Sequence, residues 1–175
     1  MSVPAPGFLP NWLVPDWPAP AGVNAVFTTR QGGQSRTPYD SLNLGTHVGD
    51  ALADVLANRA VLQRALGVRP VFLEQVHGTQ VQALTSDTPD GAVADACLST
   101  QPGLACTIMV ADCLSILLCD ASGRWVAAAH AGWRGLAGQG GVGVLESTLA
   151  AVYASNRALA PANSCLLYTS PSPRD

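Results

Sequence analysis

A chain of 175 residues that is 48% hydrophobic and 12% charged carries enough apolar side chains to bury a substantial core, and its length fits one domain better than two. A net charge of −3 with no Lys/Arg run excludes the electrostatic footprint of a nucleic-acid binder or of a protein drawn to anionic membranes, so small molecules are the expected partners. No apolar stretch reaches the roughly 18 residues of a membrane span, the first residues lack a signal-peptide pattern, and five scattered cysteines read as reduced thiols, which together point to the cytoplasm.

The opening "PAPGFLPNWLVPDWPAPAG" is rich in proline and tryptophan and reads as an extended arm with docked aromatic rings. "VNAVFTTR" is a β-branched run expected as a strand, and "QGGQSRTPYDSLNLGTHVGD" is an irregular loop. Asp50 is the expected N-cap of a helix over "ALADVLANRAVLQRALG", with Leu52, Val55, Leu56, Leu62 and Leu66 at helical spacing and Gly67 as the stop. "VFLEQV" and "QVQAL" read as two strands around a tight turn at His77-Gly78-Thr79. The turn "SDTPDG" leads to "AVADACLST", and then come three apolar strands, "ACTIMVA", "LSILLC" and "WVAAAHA". "GWRGLAGQGG" is expected as a loop before a helix over "VGVLESTLAAVYASN". The tail "CLLYTSPSPRD" has no periodicity and reads as a non-native segment from residue 164 onward, with the native chain expected to continue beyond about Asn163. Residues 1–163 are then one truncated domain.

Histidine, cysteine and aspartate are the side chains that metal sites and nucleophilic catalysis require. If "LSILLC" and "WVAAAHA" pair antiparallel around "DASGR", facing residue numbers sum to about 243 to 245, which sets Cys113 opposite a residue between 130 and 132 and makes His130 its neighbour. A one-residue slip would put the two side chains on opposite faces. On pattern alone, Cys113 reads equally as a small core hydrophobe and His130 as a satisfied buried histidine, while His77 reads as a turn residue and His47 as a structural or surface one. Asp112, in an apolar setting, needs a partner. Arg59 and Arg134 are the candidates for a bidentate grip on phosphate, although Arg59 also fits a solvated helix face. Asn43 could contact a ribose or base, or simply form a turn. The amides of "GWRGLAGQGG" could hold a phosphate at the following helix start, although the Lys-Ser/Thr ending of a P-loop is missing. Glu74, three residues before His77, is a candidate proton donor by spacing.

"EQVHGTQV", "ADACLST", "ADCLSILLCD" and "AAAHAGWRG", in this order and with "SLNLGTHVGD" and "NR" upstream, resemble the signature of the YfiH family. That family is also called the multicopper polyphenol oxidase or laccase-domain family and is associated with purine nucleoside phosphorylase activity. The resemblance spans about residues 23 to 150; a proline usual in the family near Ser115 and the family's C-terminal region are missing. It implies an α+β fold, a mixed α/β/β/α sandwich. It also implies a zinc site made by His77, Cys113 and His130, which would be the catalytic set as well. The implied activity is zinc-dependent phosphorolysis of adenosine, inosine and methylthioadenosine, together with adenosine deamination. Purine nucleosides and phosphate are then the partners, with Asn43, Arg59, Asp112 and Arg134 as substrate-binding candidates. Three protein ligands leave a fourth position open, the arrangement of a catalytic zinc. Copper with Met109 as a weak axial ligand is the alternative, but three histidines are too few for several copper sites. A cysteine hydrolase using Cys113 with His130 would need an activated thiolate. A non-enzymatic reading makes the site a staple of the fold.

Overall fold

The computed structural model describes residues 7–155 and the backbone of Ser164–Thr169. It divides into two compact units, one built from residues up to Asp16 and Asn24–Pro70, the other from Trp17–Val23 and Val71 onward.

In the first unit the proline-rich arm docks its rings as expected: Trp12 is buried and lies 6.1 Å from the Phe8 ring. The run from residue 23 to 30 does not become a strand. It meets the arm through one isolated bridge, Leu13 to Phe27, and a hydrogen bond from Asn11 Nδ2 to Thr29 Oγ1 at 2.8 Å. The one helix among this unit's described residues, α1 (Leu52–Leu66), stops where expected, at Gly67 in the left-handed region with its N–H on the Gln63 carbonyl. Its start differs. Ala51 is the N-cap and makes no side-chain cap, because the Asp50 carboxylate is taken by the Asn43 amide at 2.9 Å and by the Ala51 N–H at 2.8 Å. The buried stripe is also rotated, to Val55, Asn58, Leu62 and Ala65, with Leu52 and Leu56 more than half exposed. The reason is Asn58, which is fully buried and hydrogen-bonds Ser35, the Ser41 and Asn43 carbonyls and the Gln34 N–H. A buried amide so fully satisfied anchors a polar loop, and that loop sets which face of the helix turns inward.

The second unit holds two sheets. β1 (Arg69–Glu74), β3 (Ala92–Val93) and β5 (Leu104–Thr107) form a three-stranded sheet in the order β3-β1-β5. β2 (Val81–Ala83), β4 (Ala96–Ser99), β6 (Leu114–Asp120), β7 (Val126–Ala131) and β8 (Ser164–Thr169) form a five-stranded sheet in the order β2-β4-β7-β6-β8. β1 and β2 are therefore not the hairpin their spacing suggests; each pairs in parallel with a later strand, β3 and β4 respectively, in a different sheet. β8 lies antiparallel to β6, so the patternless tail supplies a strand that its sequence did not predict. The segment expected as a loop after His130 contains α2 (Trp133–Ala137), and α3 (Val144–Ser155) forms as expected.

The period of two explains the layering. Ala127, Ala129 and Ala131 of β7, Ile116 and Leu118 of β6, and Ala96 and Leu98 of β4 face Val144 and Val152 of α3. The alternate residues Ala128, Leu117 and Cys97 face the small sheet, against Val71, Leu73, Leu104 and Cys106. Both faces of the central strand β7 are covered, which is why its sequence is apolar apart from His130, and its alanines let helix and sheet approach closely. The result within this unit is a helix-sheet-sheet stack, the mixed α+β arrangement expected from the resemblance.

The β6–β7 turn is closed by Asp120, which is buried and accepts from Arg124 Nε at 2.8 Å and Nη2 at 3.0 Å and from the Ser122 and Arg124 amides. The Arg124 guanidinium pulls the Asp120 carboxyl down to about 2, against the opposing effect of burial. A depressed carboxyl contributes stability above the ordinary carboxylate range and loses it as pH falls toward about 2. Asp120→Asn should therefore flatten the acid limb of the stability curve, seen as a smaller change in urea midpoint between about pH 5 and about pH 2.5 than in the parent protein.

No helix among the described residues is long and apolar enough to cross a membrane.

Candidate metal centre

Two loops and the strand β7 of the second unit bring His77, Cys113 and His130 together. Their ligand atoms all lie within 4.8 Å of one another, the one such group of His, Cys, Asp and Glu among the described residues. Cys113 Sγ is 3.8 Å from His77 Nε2, and the two imidazoles meet edge to face with centroids 4.7 Å apart. Nitrogen and thiolate ligands of one tetrahedral zinc stand about 3.5 Å apart, so shifts of a few tenths of an ångström to about 1 Å would bring this set onto one ion.

Each ligand has its own support. His130 is the fifth residue of β7 and is buried on the face toward the small sheet. Cys113 lies one residue before β6, and the observed register, Leu114 to Ala131 and Ser115 to His130, continues to Cys113 opposite Gly132. The facing sum is thus 245, as 115 + 130 gives directly, at the edge of the expected range. Cys113 reaches His130 diagonally, past the end of the ladder.

His77 lies between β1 and β2 and is the one non-glycine residue with positive φ among the described residues, at 61°. That conformation costs about 1–3 kcal/mol. It is offset by Asp95, which sits between β3 and β4 and is fully buried. Its Oδ1 accepts from the His77 N–H at 2.8 Å, and its Oδ2 accepts from the N–H groups of Val76 at 3.1 Å and Gly78 at 2.7 Å. Bonds to a charged acceptor contribute roughly 1.5–3 kcal/mol each, enough to hold the turn. Oδ1 also lies 2.9 Å from His130 Nδ1. Burial acts to raise the Asp95 carboxyl, but His130 and the Gly78, Val76 and His77 amides outweigh it and hold the group below the ordinary carboxylate range.

Two further contacts shape the site. Gln75 pairs with the backbone of Met109 through Nε2 to the carbonyl and Oε1 from the N–H, both at 2.8 Å, which ties the His77 loop to the connection between β5 and β6 that leads into Cys113. Met109 thus takes part through its backbone. A Cβ at Gly132 would lie 3.0 Å from His77 Cδ2 and 3.1 Å from Cys113 Sγ, so the ligands close into space that only glycine leaves. Burial, then the adjoining Asp112 carboxylate and Asp95 beyond it, push the Cys113 thiol up from its ordinary range. A thiol so disposed is a poor free nucleophile but becomes a thiolate once a metal displaces its proton.

The remaining expected site residues divide by position. Asp112 is exposed beside Cys113, and Arg134 is exposed in α2 with its guanidinium 5.3 Å from the centroid of the Trp133 ring. Asn43 and Arg59 belong to the first unit, where Asn43 bonds Asp50 and Gly45 and Arg59 Nε donates to the Leu44 carbonyl. Glu74 ends β1 as an exposed residue, and its carbonyl accepts from Ala94. The phosphate expected at the start of α3 meets a competitor: the Glu146 carboxylate already accepts from the Gly143 N–H at 3.0 Å. Asp95, Gln75 and Gly132 were missed. For Asp95 the available signal was a lone carboxylate in the apolar "AVADACLST", the same kind of interruption as Asp112.

The mixed sheet stack and the sequence that builds it are those of a known protein class. Residues 24–172 match the family model described as multi-copper polyphenol oxidoreductase laccase, and the chain belongs to that family, which is the YfiH family. A purine nucleoside phosphorylase of Pseudomonas aeruginosa is 56% identical over 138 residues, 79% of this chain and 54% of that protein. Purine nucleoside phosphorylase YfiH of Escherichia coli is 52% identical over 139 residues, 78% of this chain and 56% of that protein. The chain thus spans about half the length of these curated relatives. A crystal structure of a Neisseria meningitidis protein superposes with a TM-score of 0.75 at 46% identity, covering 88% of this chain and 60% of that one.

Proposed function

We propose that this chain carries the zinc centre of a purine nucleoside phosphorylase, with His77, Cys113 and His130 as ligands. The observation that carries the reading is the convergence of two imidazoles and a thiol with His130 Nδ1 already committed to Asp95, which leaves Nε2 for a metal. Two nitrogens and a sulfur suit zinc, and three protein ligands leave one position open. The word multi-copper in the family's description fits less well, because three histidines in all cannot furnish several copper sites. When bound, the metal would supply a Lewis-acid position able to polarise a substrate oxygen or nitrogen.

The chain's own residues would do the rest. Arg134, exposed two residues beyond Gly132, would hold phosphate through its guanidinium. A phosphate oxygen would attack ribose C1′ as the bond to the purine breaks; the base leaves with the electron pair and takes up the proton that phosphate releases. The products are free purine and ribose 1-phosphate, or 5-methylthioribose 1-phosphate from methylthioadenosine. Asp112 would bind substrate beside Cys113, while contributions of Asn43 and Arg59 rest on the resemblance. Adenosine, inosine and methylthioadenosine are the proposed substrates, and adenosine deamination, with water attacking C6 and ammonia leaving, is the proposed side activity. A cytoplasmic location is part of this proposal.

Incubating the zinc-loaded chain with adenosine or inosine, with and without phosphate, tests the proposal. Free purine and ribose 1-phosphate should form only with phosphate. Phenol oxidation supported by stoichiometric copper, with no purine released, would overturn it.

A further inference from the structure

We infer that Asp95 is the positioning residue of the centre, a single buried carboxylate that fixes both histidine ligands at once. The inference rests on the metal-centre reading above. Four donors converge on two oxygens: the amides of Val76, His77 and Gly78, and His130 Nδ1. A carboxylate can accept all four, because each oxygen offers two lone-pair directions. The three amides belong to consecutive residues, and binding them curls the loop around the anion and holds His77 at φ 61°, which directs its imidazole toward Cys113. The fourth bond sets the tautomer of His130: with Nδ1 donating to Asp95, the lone pair of the neutral ring is on Nε2, the form a metal needs.

A carboxylate that merely satisfied a buried turn would have no reason to include His130. A second feature separates positioning from local packing. His77 and His130 are 53 positions apart in sequence, as 130 − 77 gives, yet both bond the same atom, Oδ1. The backbone of His77 and the ring of His130 therefore cannot shift independently, and the attachment points of the two ligands are set before any metal arrives. Backbone placement reinforces this, since the His130 N–H also donates to the Asp95 carbonyl at 2.7 Å.

Asp95→Asn keeps the shape but replaces one acceptor oxygen with a donor NH2 group facing amides that need acceptors. Zinc affinity, measured by chelator competition, should fall roughly 10- to 100-fold. Nitrogen-15 NMR of the metal-free folded protein should show His130 protonated on Nδ1 in the parent and moving toward the Nε2-protonated form in the variant. A parent protein that binds neither zinc nor cobalt overturns the metal centre itself. A parent that binds metal while Asp95→Asn binds equally well with an unchanged His130 tautomer overturns the role of Asp95 alone. Should the variant fail to fold, the parent's spectrum decides: His130 protonated on Nε2 in the metal-free state refutes the inference.

Discussion

Cys113→Ala is expected to reduce zinc affinity by more than about 100-fold, beyond the loss typical of a supporting residue, while leaving the fold intact. The side chain is half-buried and lies outside β6, so its removal opens no core cavity and breaks no ladder bond. What it removes is the one anionic ligand; His77 and His130 alone form a two-nitrogen site. The variant also carries a pH signature. Burial, Asp112 and Asp95 raise the thiol in the metal-free protein, so at neutral pH a metal must displace its proton. Apparent zinc affinity of the parent should therefore climb about tenfold per pH unit from pH 7 upward until the thiol's own range is reached. Cys113→Ala should lose that slope, and chelator competition at several pH values reads both effects. An affinity within a few fold of the parent would remove Cys113 from the ligand set.

The parts of the site that were legible in the sequence are those built from a hairpin. β6 and β7 are apolar runs joined by a short turn, and the turn length limits their register to a few values, so Cys113 and His130 could be placed as neighbours. Their actual relation is diagonal, with Gly132 opposite the cysteine, and one residue of register separates those arrangements. His77 was legible as a turn residue between two strands. That the strands join different sheets was not, because two short apolar runs around a turn look alike whether the chain folds back on itself or crosses over. This crossover hid Asp95. Its bonds to residues 76 to 78 depend on β1 pairing with β3 and β2 with β4, both in parallel, so that the β1–β2 link and the β3–β4 link come together. Parallel pairing leaves no local mark in sequence. In the first unit, helical spacing identified α1 but not its inward face, since leucines at 52 and 56 outranked an asparagine on any hydrophobic scale. The polar loop bound to Asn58 decided the matter, and the partners of a buried amide are long-range facts.

Gly132 offers the sharpest separation of site geometry from stability. Its φ of −65° and ψ of 157° suit any residue, so a substitution there brings no backbone strain. The added Cβ meets side chains of two ligands, His77 at 3.0 Å and Cys113 at 3.1 Å, rather than a helix or strand. Both must give way by a few tenths of an ångström, against a tolerance of about 0.5 Å for a working site. Gly132→Ala should thus weaken zinc binding roughly 10-fold and Gly132→Val, whose branches extend further into the space, by roughly 100-fold or more. The midpoint of thermal unfolding without metal should move little in the alanine variant, because His77 is exposed and can swing outward. Zinc should stabilise the parent against heat, by mass action on the folded state, and stabilise Gly132→Val far less. Equal zinc-induced shifts in parent and variant would mean that His77 and Cys113 do not close on the metal across Gly132, and the three-ligand centre would have to be redrawn.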